Sequence, residues 1–283
     1  MKKAKEVYLK ANKITRDISQ DHVGAYAAQS AYFFMLCMIP IILLLLTLVR
    51  YTPVTKADVM AAVIQVFPSS VDSLITSIVN QVYNQSMSII PITVIVALWS
   101  AGKGVLAMSS GLNCIYNCQE TRNYVYLRIR ATLYTVMFLI VIIFLLVLSV
   151  FGNTLNIFIS NHVVFMKKMA DWLIEMRTII MPITLMIFSI LIYKFLPNRK
   201  DKVKKQIPGA IFAAVGWMII SWIFSVYVDV FQGFSDMYGS LTTIVLIMLW
   251  MYFCMYTILL GGEVNILWEA WMTRISDPKE RQE

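Results

Sequence analysis

Charge is scarce in this 283-residue chain: 14% of it is Asp, Glu, Lys or Arg, against 59% hydrophobic, with a mean hydropathy of +0.71. A soluble domain averages about 25% charged, so the composition excludes one and calls for an integral membrane protein. Histidine is nearly missing too, with two residues, and there are four cysteines. Cys37, Cys114, Cys118 and Cys254 all fall in or beside apolar stretches. Cys114 and Cys118 stand at i,i+4 on one helix face, but with no further Cys or His nearby they make no four-ligand zinc set, and all four are expected to be free, buried thiols. The acids are spread singly, with no D-x-D or H-x-x-x-H, so neither a metal nor another cofactor is expected. His22 and His162 fall on opposite sides of the membrane by the charge count below, which leaves a histidine acid/base site unsupported. A cleavable signal peptide is also missing: the first 23 residues are charged and polar, and the first apolar run is itself long enough to span.

What is abundant is long apolar runs. Leu241 to Leu260 holds no charge, Pro or Gly, and twenty residues at about 1.5 Å each cover roughly the 30 Å of a bilayer's hydrocarbon core. Runs of that length indicate helices, since barrel strands would alternate over about ten residues. The expected fold is an all-α integral membrane protein with six transmembrane helices, at about 24–49, 89–108, 131–152, 178–196, 208–230 and 241–260. A polar arm, 1–23, precedes them and a tail, 269–283, follows. The connecting segments 50–87 and 153–177 are too polar to span. The spacing of Val59, Val63 and Val66, then of Val71, Leu74, Ile78 and Val82, predicts amphipathic helices over about 57–67 and 70–84, with another over 162–176.

The net charge of +8 is distributed by side rather than clustered for nucleic acid. One side holds six Lys/Arg in the arm, four from Lys103 to Arg130, six from Lys194 to Lys205 and three after Trp268; the other holds five. By the positive-inside rule both termini are cytoplasmic, 50–87 and 153–177 are the outer segments, and the expected partner is the lipid bilayer, not a nucleic acid. The oligomeric state is left open by these patterns.

Two helices echo each other. Leu98-Trp99 leading to Gly111-Leu112-Asn113 parallels Leu249-Trp250 leading to Gly262-Glu263-Val264-Asn265, with 14 residues from Trp to Asn in the first and 15 in the second. Their predecessors, GAYAAQSAYFF and GAIFAAVGWMI, also match loosely, so spans 1–2 and 5–6 read either as related pairs or as a chance likeness of Ala-rich helices.

The polar residues inside the spans are the site candidates: Gln29, Lys103, Asn113, Glu263 and Asn265, all on the cytoplasmic half. A carboxylate facing lipid is costly, so Glu263 should face protein, water or headgroups. These groups line a substrate cavity or serve helix packing, with Lys103 snorkelling; pairing of Lys103 with Glu263 stays open. Pro40 should kink the first span. Gly102, Gly104, Pro208, Gly209, Gly261 and Gly262 are packing or hinge positions where backbones approach closely.

Taken together, AAQSAYFFMLCMIP (27–40), W-x-A-G-K-G ending in LNCIY (99–116), Arg122, YKFLPNRK and IPGAIFAAVGW (193–217), and YGSLTTIVLIMLW with LLGGEVN (238–265) resemble the YihY/virulence factor BrkB family of bacterial inner-membrane proteins. The resemblance implies a six-span protein of the bacterial cytoplasmic membrane and brings no catalytic residues with it. It also brings a ribonuclease BN label, which the residues above do not support. The function expected is that of a non-enzymatic transporter or flippase-like protein for a small-molecule or lipid-like substrate. The alternative is a non-catalytic scaffold for envelope assembly.

Overall fold

The structure is a computed structural model that describes residues 18–49, 90–150, 177–230 and 240–276, with isolated positions 16, 60, 76, 77 and 80. Positions 60, 76, 77 and 80 are helical; the rest of the helices expected over 57–67, 70–84 and 162–176 lies outside the described residues, as does most of the N-terminal arm. Among the described residues every regular element is helical: α1 (Val23–Val49), α2 (Ile90–Ile115), α3 (Tyr124–Val150), α4 (Arg177–Phe195), a short 3-10 turn (Val203–Gln206), α5 (Ile207–Val230) and α6 (Ser240–Ser276). Val203–Tyr227 and Ile244–Thr273 are long and apolar enough to cross a membrane, and Val23–Met38 and Ile179–Phe195 are shorter apolar helices.

The ends of these helices are written in their side chains. Asn123 caps α3, its Oδ1 accepting from Val125 N at 3.2 Å, which satisfies one of the donors a helix start leaves open. The α2 helix closes on Asn117 in the left-handed region (φ 50). Cys118 N there donates to Asn113 O and Asn117 N to Cys114 O, the paired bonds of a Schellman end. Pro197 stops α4. In α5, Pro208 occupies the first turn, where a missing N–H costs nothing. The α1 helix is continuous through Pro40, and α4 carries Pro182 within it.

Three helices extend beyond the spans read from the sequence. The α2 helix runs past 108 to Ile115, and α3 begins at Tyr124 rather than 131. The sixth helix runs on past Leu260 through Gly261-Gly262-Glu263 to Ser276, so that 269–276 of the tail is helical. At 37 residues α6 is about 55 Å long. Apolarity sets where a helix can cross lipid, not where it stops, and here the extra turns are held by protein contacts described below.

The helices pack as a circuit in chain order, with α1 against α2 and α5 against α6 the most extensive pairings, and α6 returning to α1. The α6 helix also reaches across to α2, while α3 and α4 barely meet. The interior of this circuit is apolar: Cys37, Leu112, Tyr193, Cys254, Met255, Ile258 and Leu259 are essentially fully buried. Some hydroxyls within the helices are satisfied on their own turns, as where Thr135 donates to Ala131 O and Thr257 to Phe253 O, a bond available to Ser and Thr without any partner helix. Ser30 Oγ, buried on α1, has no hydrogen-bond partner among the described residues.

The α5–α6 crossing is the tightest in the bundle. A Cβ on Gly209 would fall on Gly261 O and 2.6 Å from Asn265 Cγ. One on Gly261 would strike the Tyr193 hydroxyl and come 2.7 Å from Gly209 O. Only glycine at both positions permits this approach.

Candidate functional site

A polar knot closes one end of the bundle, built on two asparagines of the two echoing helices, Asn113 in the last turn of α2 and Asn265 about three turns before the end of α6. Asn265, on α6, is buried and uses both ends of its amide. Its Oδ1 accepts from Gly209 N at 2.7 Å, supplying a partner to the first turn of α5. Its Nδ2 donates to Gln206 Oε1 at 2.9 Å and to Tyr116 Oη at 3.2 Å, and Tyr116 in turn donates to Gln206 at 3.0 Å. Asn113, on α2, is buried too. Its Nδ2 donates to Glu120 at 2.9 Å and its Oδ1 accepts from Asn198 N at 2.7 Å.

Both asparagines therefore hold the segment 196–209 between α4 and α5. The last carbonyls of α4 are held from the other side: Leu196 O accepts from Ser109 Oγ at 2.9 Å and from Arg122, and Phe195 O accepts from Arg130. Asn198 Nδ2 reaches Gln119 O and Thr121. Charge finishes the knot. Arg199 meets both Asp201 and Glu269, and Lys205 meets Glu269 at 2.6 Å, with Arg199 also 5.1 Å from the Tyr116 ring centroid. These contacts are why α6 continues past Leu260: Asn265 and Glu269 lie one turn apart and both bind the 196–209 segment.

The hydrogen bonds from Arg122 hold the Glu120 carboxyl below the ordinary carboxylate range. Lys205, and then Arg199, do the same for Glu269. The corresponding shift raises Arg122 above its usual value through its bond to Glu120. Each pair is thus held ionised, as charge-assisted bonds favour.

The five candidates read from the sequence separate in the structure. Asn113 and Asn265 come together around one loop. Glu263 is buried on the same helix as Asn265, within electrostatic reach of Cys114, whose thiol is 3.9 Å from Asp21. Lys103 is exposed on α2, its Nζ 5.4 Å from the Phe33 ring centroid, and not at the knot. Gln29 is exposed on α1 as well and lines no interior surface. Helix pitch explains both: each was placed by depth, and depth does not say which way a side chain turns. The packing glycines fall into three grades. Gly209 and Gly261 are obligatory; Gly104 and Gly262 are snug, with a Cβ 3.3 Å from Phe34 and 3.1 Å from Leu112; Gly102 has ordinary room, 3.7 Å from Arg128. Gly111, whose Cβ would lie 2.8 Å from Tyr26, escaped the sequence reading.

Tyr116, Gln206, Asn198 and Glu269 escaped it too. The signal that would have found them is the PNRK turn: a proline that stops α4, followed by polar residues whose backbone must find partners somewhere.

Arg128 forms a separate pin. Its guanidinium carbon stands 4.0 Å from the Trp99 ring centroid and its Nη2 donates to Trp99 O at 2.7 Å. Among the described residues no group of three or more His, Cys, Asp and Glu is arranged to hold a metal ion.

Comparison with known proteins gives a consistent answer. A family model described as virulence factor BrkB matches residues 14–283. A Bacillus subtilis protein, YfkH, described as ribonuclease-like, is 34% identical over 85% of this chain and 88% of its own length. A UPF0761 membrane protein of Idiomarina loihiensis is 29% identical over 34% of each chain. One of Stenotrophomonas maltophilia is 30% identical over 33% of this chain and 22% of its own. No solved structure matches.

Proposed function

The chain belongs to the virulence factor BrkB family and is a bacterial inner-membrane protein; from that premise we propose that it spans the membrane six times with both termini cytoplasmic and acts as a transporter or flippase-like protein for a small or lipid-like substrate. The polar knot is its cytoplasmic gate. The observation that carries this reading is that four elements, α2, the 196–206 segment, α5 and α6, are joined at this end through two buried amides, Asn113 and Asn265, in addition to their apolar contacts. A buried hydrogen bond contributes only about 1 kcal/mol net because water can replace it. A polar closure therefore opens at low cost when water enters, which an apolar one does not. Tight Gly209–Gly261 contact gives α5 and α6 a smooth track along which to part.

A second reading has an observation of its own. The interior above the knot is filled by Leu112, Tyr193, Met255, Ile258 and Leu259, which suits a static scaffold whose knot is a clamp. The name of the Bacillus subtilis relative stays with that protein; among the described residues no arrangement motivates an RNA-cleaving proposal.

Replacing Arg199 and Glu269 with cysteine, in a background with Cys114 and Cys118 changed to serine, places a disulfide across the gate. Reconstituted with a fluorescent phospholipid, the reduced protein should speed its movement between leaflets and the oxidised protein should not. A low-molecular-weight anionic dye entrapped in the same vesicles tests the solute arm. Crosslinked protein that moves either probe as fast as the reduced form would sink the gate, and inactivity of both forms alike would favour the clamp.

A further inference from the structure

Arg122, Arg199 and Lys205 each meet a carboxylate, but Arg130 does not. Among the described residues it forms no ion pair; its bonds go to two neutral oxygens, the Tyr134 hydroxyl at 2.8 Å and Phe195 O. Its charge is only half-buried, at the rim of a narrow crevice walled by Val105, Leu106, Ala131 and Leu196, with Arg122 on the same rim. The crevice lies between α2 and α3 and is closed by Leu196, just past the end of α4, beside the pair of helices, α3 and α4, that meets least in the circuit. On the same helix as Arg130, α3, Tyr126, Ile129 and Leu133 are all more than half exposed. A cation without a counter-charge, a second guanidinium beside it and an apolar strip leading away are complementary to one kind of molecule.

We propose that the seam where α2 and α3 meet the end of α4 binds an anionic phospholipid, with Arg130 as the anchor for its phosphate and its acyl chains lying along Ile129 and Leu133. Guanidinium presents planar paired donors to phosphate oxygens, and basic pockets between membrane helices hold acidic headgroups. The enclosed part of the crevice is small, so the phosphate sits at its mouth, where Arg130 and Arg122 flank it. A free phosphate would leave the apolar strip unused, and a zwitterionic lipid would bring its own ammonium to compete with Arg130. Assignment of this lipid to the inner leaflet rests on the topology proposed above; the seam itself does not.

The experiment is thermal unfolding of the delipidated full chain in neutral detergent, with phosphatidylglycerol, phosphatidylcholine or inorganic phosphate added. Phosphatidylglycerol should raise the midpoint by several degrees in the wild type, as a ligand of the folded state does. The increment should fall by more than half in Arg130→Gln and partly in Arg130→Lys. Phosphatidylcholine and inorganic phosphate should give little. Equal stabilisation by phosphatidylcholine, a full increment in Arg130→Gln, or reproduction of the effect by inorganic phosphate would each overturn the proposal. Arg130 also holds Phe195 O, so Arg130→Gln has its own lower baseline and only the lipid increment counts. If that variant fails to fold, native mass spectrometry of the wild type decides, because loss of phosphatidylglycerol as readily as phosphatidylcholine refutes the site. A reversed topology would move the lipid to the other leaflet and leave all these shifts unchanged.

Discussion

Gly209→Ala isolates the α5–α6 crossing in one methyl group. The new Cβ would fall on Gly261 O and 2.6 Å from Asn265 Cγ. Neither is the flexible tip of a long side chain, so the helices themselves must separate. Overpacking of this kind costs about 1–3 kcal/mol. Separation also lengthens the 2.7 Å bond from Gly209 N to Asn265 Oδ1, adding about 1 kcal/mol. The total, roughly 2–4 kcal/mol, is opposed by at most about 1 kcal/mol that alanine gains over glycine in a helix. A net loss of stability is expected. The assay is heating in detergent with a thiol-reactive fluorophore in a background with the half-buried Cys114 and Cys118 changed to serine, since Cys37 and Cys254 are buried until the bundle opens. Gly102→Ala is the control: its Cβ finds ordinary contact 3.7 Å from Arg128, and it should melt at or slightly above the wild type. If Gly209→Ala melts with the wild type, or Gly102→Ala falls as far, the crossing is not as close as the geometry requires and the reasoning fails.

Asn265→Leu keeps the volume but leaves Gly209 N, Gln206 and the Tyr116 hydroxyl each short of a partner; at about 1–3 kcal/mol for an orphaned buried group, a midpoint drop larger than that of Asn113→Leu is expected on the same thermal assay. Acid should loosen the knot. Glu120 and Glu269 have folded pKa values below their unfolded ones, so their stabilisation is complete above the unfolded carboxylate value, about 4.3, and is lost as pH falls through the lowered folded values. Hydrogen exchange of residues 196–206 should quicken over that descent, and Glu269→Gln should already exchange fast at neutral pH. Glu263→Gln separates gate from clamp: a site for substrate leaves the midpoint unchanged and alters transport, while a structural role lowers the midpoint. For the topology, a membrane-impermeant thiol reagent applied to intact cells should label a cysteine at Asn84 and spare one at Lys202, and the opposite pattern would invert the assignment.

Long apolar runs made the helices legible: α1, α4 and α5 begin and end within a residue or two of where hydropathy puts them. Hydropathy is an average over a run and survives ignorance of its neighbours. The end of α6 was not legible, because its last four turns are held by Lys205, Arg199 and Gly209, which come from elsewhere in the chain. Asn113 and Asn265 were found because an amide in an apolar helix needs a partner wherever it points. Lys103 and Gln29 turn outward, which for Lys103 is the snorkelling that the sequence reading leaves open beside a cavity role, and depth along a helix does not distinguish the two. Tyr116 and Gln206 looked ordinary, since a tyrosine after an apolar run and a glutamine in a basic loop carry no pattern until the fold brings them within 3.0 Å.

The length of α6 has a mechanical corollary. With no proline from Ser240 to Ser276 it is a single shaft about 55 Å long, so a tilt imposed at one end appears at the other. Its one compliant joint is Gly261-Gly262, where backbone freedom is greatest. That joint is splinted by Tyr193, Gly209 and Leu112, which press on it from three other helices. Stiffness there is borrowed from the neighbours. If α5 draws away in the proposed gate, one of the three splints leaves with it, and bending of the shaft would concentrate at Gly261-Gly262.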